Sequence, residues 1–99
     1  MFMKLFDWSD DKNRQLKKER GISFEKIAFY IQSGKLLAIL EHPNPLKYKN
    51  QKIAVVDIDG YAYAVPYVET EEVIFLKTAF PSRKYTRQFL SKGGSKWSP

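Results

Sequence analysis

The sequence predicts an α+β fold in which two N-terminal helices precede a four-stranded, mostly antiparallel sheet and a short C-terminal helix follows it. Apolar residues recur at helical spacing before residue 35, and apolar strand-like runs then succeed one another up to residue 80. Helices that are segregated from a strand meander predict a helical layer on one face of the sheet. We place a single domain at residues 1–90 and a flexible tail at residues 91–99.

The two N-terminal helices are predicted from their caps and stops. Residues 8–21 (WSDDKNRQLKKERG) have acids at the start, bases at the end and a glycine stop, with Ser9 or Asp10 as the cap. Residues 23–34 (SFEKIAFYIQSG) have apolar side chains at helical spacing, with Ser23 as the cap and a glycine at the end.

Four apolar runs predict the strands, at residues 36–40, 52–58, 61–69 and 72–80. The pair Asp59-Gly60, between the second run and the third, is typical of a type I′ hairpin turn. Pro66 falls inside the third run. Because proline cannot donate a ladder hydrogen bond, we expect that strand to lie at a sheet edge or to carry a bulge there.

The short C-terminal helix is predicted within residues 78–90 (TAFPSRKYTRQFL). Pro81 suits the first turn of a helix, and Ser82 suits a cap. Lys77 and Ala79 precede the helix, and strand periodicity predicts that they share one face of the last strand.

The two sides of this helix differ in chemistry. At about 100° per residue, Tyr85 and Phe89 share one side, whereas Arg83 and Arg87 share the opposite one. We therefore expect the aromatic side to pack and the two guanidiniums to face outward. The helix and the strand end together would bring Lys77 close to the two arginines.

The positive charge of the chain is concentrated at its C-terminal end. The net charge is +6 at pH 7, and residues 77–99 hold six of the 17 basic residues and none of the 11 acidic ones. Residues 1–76 are therefore balanced, with 11 residues of each sign. Such one-sided charge attracts polyanions, although a merely solubilising tail is the alternative.

Several function classes are excluded by composition and motifs. The chain has no cysteine, and its single histidine is His42, so a zinc site made of histidine and cysteine is excluded. Walker loops, dinucleotide-binding turns, zinc-protease helices and nucleophile elbows are also missing. Asp57 and Asp59 share a strand face and could hold a metal, but turn chemistry already explains Asp59. No apolar run approaches the roughly 20 residues that span a bilayer, and no signal peptide is evident. We expect a cytoplasmic protein without metal or cofactor.

After these exclusions, the remaining candidate function is chemistry on RNA by positively charged side chains. RNA carries its own nucleophile, the 2′-hydroxyl, so a protein can promote cleavage by orienting the phosphodiester and stabilising the added negative charge. The arginine fork matches phosphate oxygens, which makes Arg83 and Arg87 the candidates for that role. Arginine transfers protons poorly, so Lys77 and His42 are the candidates for proton transfer. For His42, a packing role in a loop is the alternative. The expected RNA-binding residues are Lys47, Tyr48, Lys49 and Lys84.

Residues 6–27 (FDWSDDKNRQLKKERGISFEKI) resemble the N-terminal signature of the BrnT toxins. The signature consists of phenylalanine-x-tryptophan, an acid, a lysine and a basic helix that ends in glycine and ISFE. The four-strand order agrees with the family, and PSRKYTR at residues 81–87 is similar to its terminal serine-arginine-basic-x-x-arginine pattern. The resemblance covers about residues 6–90.

This resemblance implies a RelE-like fold and a metal-independent endoribonuclease toxin of a type II toxin–antitoxin module. It also implies a hetero-oligomer with a BrnA-like antitoxin, whose ribbon-helix-helix domain binds operator DNA. By position, Arg83 and Arg87 match basic residues of the terminal motif, and Lys84 falls at a position that is often basic. Many BrnT-like chains have an arginine near the end of the last strand, where this chain has none, and Lys77 is the candidate to supply that charge. The alternative is a non-catalytic nucleic-acid or protein-binding module on the same fold.

Overall fold

The computed structural model describes residues 4–44, 46–47 and 50–90. Over these ranges the chain has an α+β fold with three α-helices and a six-stranded mixed sheet. The strands are β1 (Leu5–Trp8), β2 (Leu36–Glu41), β3 (Gln51–Ile58), β4 (Tyr61–Glu69), β5 (Val73–Leu76) and β6 (Phe80–Pro81). The helices are α1 (Asp10–Arg20), α2 (Phe24–Tyr30), which continues into a π-helical turn (Ile31–Lys35), and α3 (Arg83–Phe89).

The strand order is β1-β5-β4-β3-β2, and the short β6 also pairs with β4. β1 runs parallel to β5, whereas all the other pairs are antiparallel. The prediction of four strands is therefore wrong. The sequence does not predict β1, because its four residues lie beside a strong helix signal and are too few to show strand periodicity. The fourth predicted run divides into β5 and β6 because residues 77–79 leave the ladder.

Pro66 lies in an interior strand, contrary to the expected edge or bulge. It stands opposite Ile53 of β3 in an unbroken register, and on its other side its carbonyl accepts the N–H of Lys77 at 2.9 Å. That other side faces the break between β5 and β6. In an antiparallel ladder the N–H and C=O of one residue point the same way. The donor that proline lacks would therefore face the break and not β3, so the pairing with β3 loses no hydrogen bond.

The two N-terminal helices begin at serine caps, as predicted. The Oγ of Ser9 accepts the N–H of Lys12 at 3.3 Å, and the Oγ of Ser23 accepts the N–H of Lys26 at 3.1 Å. α1 ends at Gly21, whose φ of 68° is a left-handed conformation that favours glycine. Local side-chain chemistry therefore sets both helix starts.

Asn13 ties α1 to α2 and is itself buried, with 6% of its surface exposed. Its Oδ1 accepts the N–H of Phe24 at 2.8 Å, and its Nδ2 donates to Oε1 of Glu25 at 2.9 Å. Phe24 is the first residue of α2, so its N–H has no partner within the helix and needs one elsewhere. The hydrogen bond from Asn13 is the main reason that the pKa of Glu25 is lowered.

Two apolar cores lie on opposite faces of the sheet. The first core joins the sheet to α1 and α2 and includes the fully buried side chains of Phe24, Ile27, Val56, Val65, Ile74 and Leu76. The second core joins the sheet to α3 and includes Ile53, Val55, Ala62 and Ala64, with Tyr85, Phe89 and Leu90 packed against them. Helices thus cover both faces, and the prediction of helices on one face is wrong. β3 and β4 contribute apolar side chains to both cores because strand residues alternate between faces.

The β3–β4 hairpin turns at Asp59 and Gly60, whose φ angles of 54° and 91° are both positive, as a type I′ turn requires. Asp57 accepts the N–H of Gly60 at 2.8 Å. Asp59 accepts the hydroxyl of Tyr30 at 2.8 Å and lies 3.4 Å from Nζ of Lys26. The hydrogen bond from Tyr30 and then the charge of Lys26 lower the pKa of Asp59, and the same hydrogen bond raises the pKa of Tyr30. Both aspartates therefore form hydrogen bonds at the hairpin turn.

The predicted tail, residues 91–99, lies outside the described residues. α1, the longest α-helix in the ranges described, has 11 residues, which is about 17 Å at 1.5 Å per residue. No helix of the described ranges is both long and apolar enough to cross a membrane.

Candidate nucleic-acid interface

α3 begins at a side-chain cap and is held to β4 at its first turn. The Oγ of Ser82 accepts the N–H of Tyr85 at 3.1 Å, as the sequence predicts. Pro81 belongs to β6 rather than to the helix, because it still pairs with Tyr63 of β4 before the cap. The N–H of Ser82 donates to the carbonyl of Ala62 at 2.9 Å. The start of the helix is therefore fixed against the sheet backbone.

Thr86 forms a second attachment between α3 and β4. Its Oγ1 accepts the N–H of Ala62 at 2.9 Å and donates to the carbonyl of Ser82 at 2.7 Å. The rings of Tyr85 and Phe89, 6.2 Å apart, pack on the second core beside it. The helix has seven residues and could not be stable alone, so these sheet contacts hold it in place.

The outer side of α3 is cationic. Arg83, Lys84 and Arg87 are all exposed, and Nζ of Lys84 lies 5.8 Å from the centre of the Tyr85 ring. Arg83 and Arg87 are one helical turn apart, which places their Cβ atoms about 5–6 Å from each other. This spacing allows both guanidiniums to reach one phosphodiester or two successive ones.

Lys77 and Ala79 do not share a face, contrary to the prediction, because β5 ends one residue before Lys77 and the chain then crosses to β6. Ala79 is buried in the first core, whereas Lys77 is exposed and its Nζ lies 5.9 Å from the centre of the Phe75 ring. Phe75 faces away from the first core, since both of its neighbours in β5 are buried there. Lys77 therefore lies on the same side of the sheet as α3.

His42 follows β2 directly and is partly buried. Its Nδ1 accepts the N–H of Asn44 at 3.1 Å, so a neutral imidazole carries its proton at Nε2. Its neighbour Glu41 pairs with Lys52 at one end of β3, whereas α3 begins beside the other end, next to Ala62. The structure thus places His42 away from the first turn of α3.

The predicted RNA-binding loop is described only in part. Lys47 is exposed, and its N–H donates to Oδ1 of Asn44 at 3.2 Å. Tyr48 and Lys49 lie outside the described residues. Their contribution to RNA binding stays a prediction.

An open pocket of about 520 Å³ lies at the end of the sheet remote from the β3–β4 hairpin, and the sequence did not predict it. Its lining residues are Lys4, Asn50, Lys52, Glu69, Thr70 and Glu71. Nζ of Lys4 pairs with Glu69 at 2.5 Å, across 65 positions of sequence, so no local spacing could have revealed the site. Because two glutamates balance its two lysines, the pocket suits a polyanion less well than α3 does.

The predicted site residues are thus distributed unevenly. Arg83, Lys84 and Arg87 lie together on α3, Lys77 lies on the same side of the sheet, and His42 lies elsewhere. No group of three or more potential metal-ligand side chains occurs among the residues described. Comparison with known proteins adds no relative, since no family model, no curated protein and no solved structure matches the chain.

Proposed function

We propose that this protein is a metal-independent endoribonuclease toxin of a type II toxin–antitoxin module and that α3 carries its phosphate-binding site. The observation that supports this most strongly is the exposed cationic side of α3, which is built by Arg83, Lys84 and Arg87 on a helix fixed to the sheet. Residues 77–99 contain no acid that would repel a phosphate backbone.

The reaction needs little from the protein beyond positioning and charge. The 2′-oxygen of RNA attacks the adjacent phosphorus while the bond to the 5′-oxygen of the next nucleotide breaks. Negative charge accumulates on the phosphoryl oxygens, and fixed guanidiniums stabilise it. Arg83 and Arg87 fit this role because arginine stays charged and donates in a fork that matches phosphate oxygens.

Proton transfer completes the reaction. The 2′-hydroxyl loses a proton to a base, and the departing 5′-oxygen gains one from an acid. Lys77 is our first candidate for the acid because it lies on the same side of the sheet as α3. His42 is the second candidate and would act only on RNA that extends to the far end of β3. Lys84, with Lys47, Tyr48 and Lys49 of the loop, would hold the flanking RNA.

The proposal also covers the fold family of the protein and its antitoxin partner. We infer a RelE-like fold, which the two helices between β1 and β2 and the one after β6 support. A BrnA-like antitoxin with a ribbon-helix-helix domain would neutralise the toxin in a cytoplasmic hetero-oligomer, and operator DNA would be bound only through that antitoxin. Co-purification with the adjacent gene product, and loss of RNA cleavage in that complex, would test the partnership.

The decisive experiment measures cleavage of labelled RNA by the purified, partner-free protein in excess chelator. The test variant is Arg83→Ala/Arg87→Ala, and the control variant is Lys18→Ala/Arg20→Ala, which removes the same charge from exposed positions of α1 on the other side of the sheet. We expect cleavage by the wild type and the control and none by the test variant, with matched circular dichroism throughout. Unchanged cleavage by the test variant would remove α3 from the mechanism.

A non-catalytic binding module on the same fold is the second candidate. The hydrogen bond from Asn44 to Nδ1 of His42 favours it, since this gives one of the two proton-transfer candidates a structural role in the turn. This candidate predicts salt-dependent RNA binding without product and no growth arrest on expression. An affinity that does not change with salt concentration would contradict both candidates.

A further inference from the structure

Two phenylalanines flank Lys77 on the sheet face beside α3. Phe80 of β6 is opposite Ala64, a member of the second core, and Phe75 of β5 is opposite Val68. Ala64 and Val68 project from the same face of β4 because they are separated by an even number of residues. Phe75 and Phe80 therefore project from that face as well, where Phe80 is 40% exposed and Phe75 is partly exposed.

The three side chains follow one another along β4. β5 and β6 lie on the same side of β4, since β3 occupies the other side. The partners Val68 and Ala64 are four residues apart in β4, which is about 13 Å at about 3.3 Å per residue. Lys77 lies between them, because its N–H donates to the carbonyl of Pro66, midway between those partners. The order of the residues along β4 is therefore Phe75, Lys77 and Phe80, and Nζ of Lys77 lies 5.9 Å from the centre of the Phe75 ring.

We propose that this strip of Phe75, Lys77 and Phe80 binds single-stranded RNA by stacking one base on each ring and holding the phosphate between them on Lys77. This inference rests on the proposed function and extends its site from α3 onto the sheet. Exposed aromatic rings bind any base by stacking, while neighbouring cations follow the backbone. In the described part of the chain, neither ring stacks on another aromatic ring.

Charge gives the strip a direction. α3, with its exposed cations, follows β6 after a single residue, so Phe80 lies at the cationic end. At the other end, the exposed Asp7 of β1 stands beside Phe75 and repels phosphate. The RNA backbone would therefore run from Lys77 toward α3 and not across β1. A duplex keeps its bases stacked on one another, so the strip selects single strands.

The test measures binding of a labelled 2′-O-methyl oligoadenylate, which cannot be cleaved through its blocked 2′-oxygen. The test variants are Phe80→Ala and Phe75→Ala, and the matched control is Phe29→Ala, which removes a 61% exposed phenylalanine from α2 on the other side of the sheet. We expect each test variant to raise the Kd on the order of 10-fold, in line with alanine substitutions at stacking sites, and the control to leave it unchanged. Phe80→Tyr should retain binding because it keeps the ring.

Inorganic polyphosphate, used as a competitor, separates stacking from charge. We expect its affinity to be unchanged in Phe80→Ala, since it has no bases, and reduced in Arg83→Ala/Arg87→Ala. If Phe80→Ala binds the oligonucleotide as the wild type does while the double arginine variant does not, the stacking strip is refuted and the α3 site stands. If the wild type binds neither ligand, the proposed function fails and the strip fails with it. Phe80 is the more exposed of the two phenylalanines, so the Phe80→Ala variant tests the proposal even if Phe75→Ala does not fold.

Discussion

Asn13→Ala removes the side chain that holds α1 against α2, and we expect it to be among the more destabilising polar substitutions in the chain. The buried N–H of Phe24 loses its acceptor at 2.8 Å, and an unsatisfied buried donor costs about 1–3 kcal/mol. The bond to Glu25 is lost as well, but Glu25 is exposed and adds less. We expect a total loss of about 2–3 kcal/mol. For a domain of this size, that lowers Tm by about 10–20 °C.

Urea unfolding followed by circular dichroism measures this loss directly. Gln15→Ala is the control, since it removes an exposed amide from the same helix, and we expect a change within about 0.5 kcal/mol. Asn13→Asp keeps an oxygen for the N–H of Phe24 but places a second carboxylate beside Glu25, so it should fall between the two. If Asn13→Ala costs no more than Gln15→Ala, then water or the relaxed backbone satisfies that N–H and our reasoning is wrong.

Three further substitutions test other contacts. Thr86→Val removes the acceptor of the buried Ala62 N–H, so we expect urea unfolding to show a loss of about 1–3 kcal/mol that Thr86→Ser largely avoids; equal losses would contradict this. Asp59, whose pKa is lowered, stabilises the fold above its ordinary pKa of 3.8 and loses this effect as pH falls through its folded pKa. Tyr30, whose pKa is raised, stabilises the fold below its ordinary pKa of 10.0 and loses this effect as pH rises through its folded pKa. The Tm difference between wild type and Tyr30→Phe should therefore narrow at both extremes, and a difference that is independent of pH would refute the hydrogen bond. Gly60→Ala should cost about 1–2 kcal/mol in thermal melts through its φ of 91° alone, because the space around it is open, and no loss would argue against the type I′ turn.

The parts of the fold that the sequence predicts are those set by local chemistry. Serine caps fix the starts of all three helices, and Asp59-Gly60 fixes the hairpin, because each acts on neighbours within a few residues. β1 is different. Its parallel pairing with β5 joins residues that are far apart in the chain, and no periodicity within four residues reports such a partner.

In the candidate site, too, the sequence predicted the features that depend on neighbouring residues and missed those that depend on the tertiary structure. The helical period correctly assigned Tyr85 and Phe89 to the packed side of α3, because that assignment depends only on spacing within one turn or two. The position of Lys77 depended on where a strand stops, and strand ends are set by the neighbouring strand. The interior position of Pro66 was missed for a related reason. Pro66 is tolerated inside the sheet because the adjacent strand is broken between β5 and β6 at that point. This break is a feature of the tertiary structure, which local sequence does not show.

The residues of the N-terminal signature and those that carry the proposed chemistry lie on different faces of the sheet. Phe6 and Trp8 pack against the first core, and the Trp8 ring stacks on Phe24 with centres 5.8 Å apart. The aromatic residues of the N-terminal signature therefore pack the first core in this chain. The proposed function depends instead on the opposite face, on Arg83 and Arg87 of α3 and on the strip beside it. Substitutions of Phe6 and Trp8 should change stability, whereas substitutions of Arg83 and Arg87 should change RNA binding at unchanged stability, so the two faces can be tested separately.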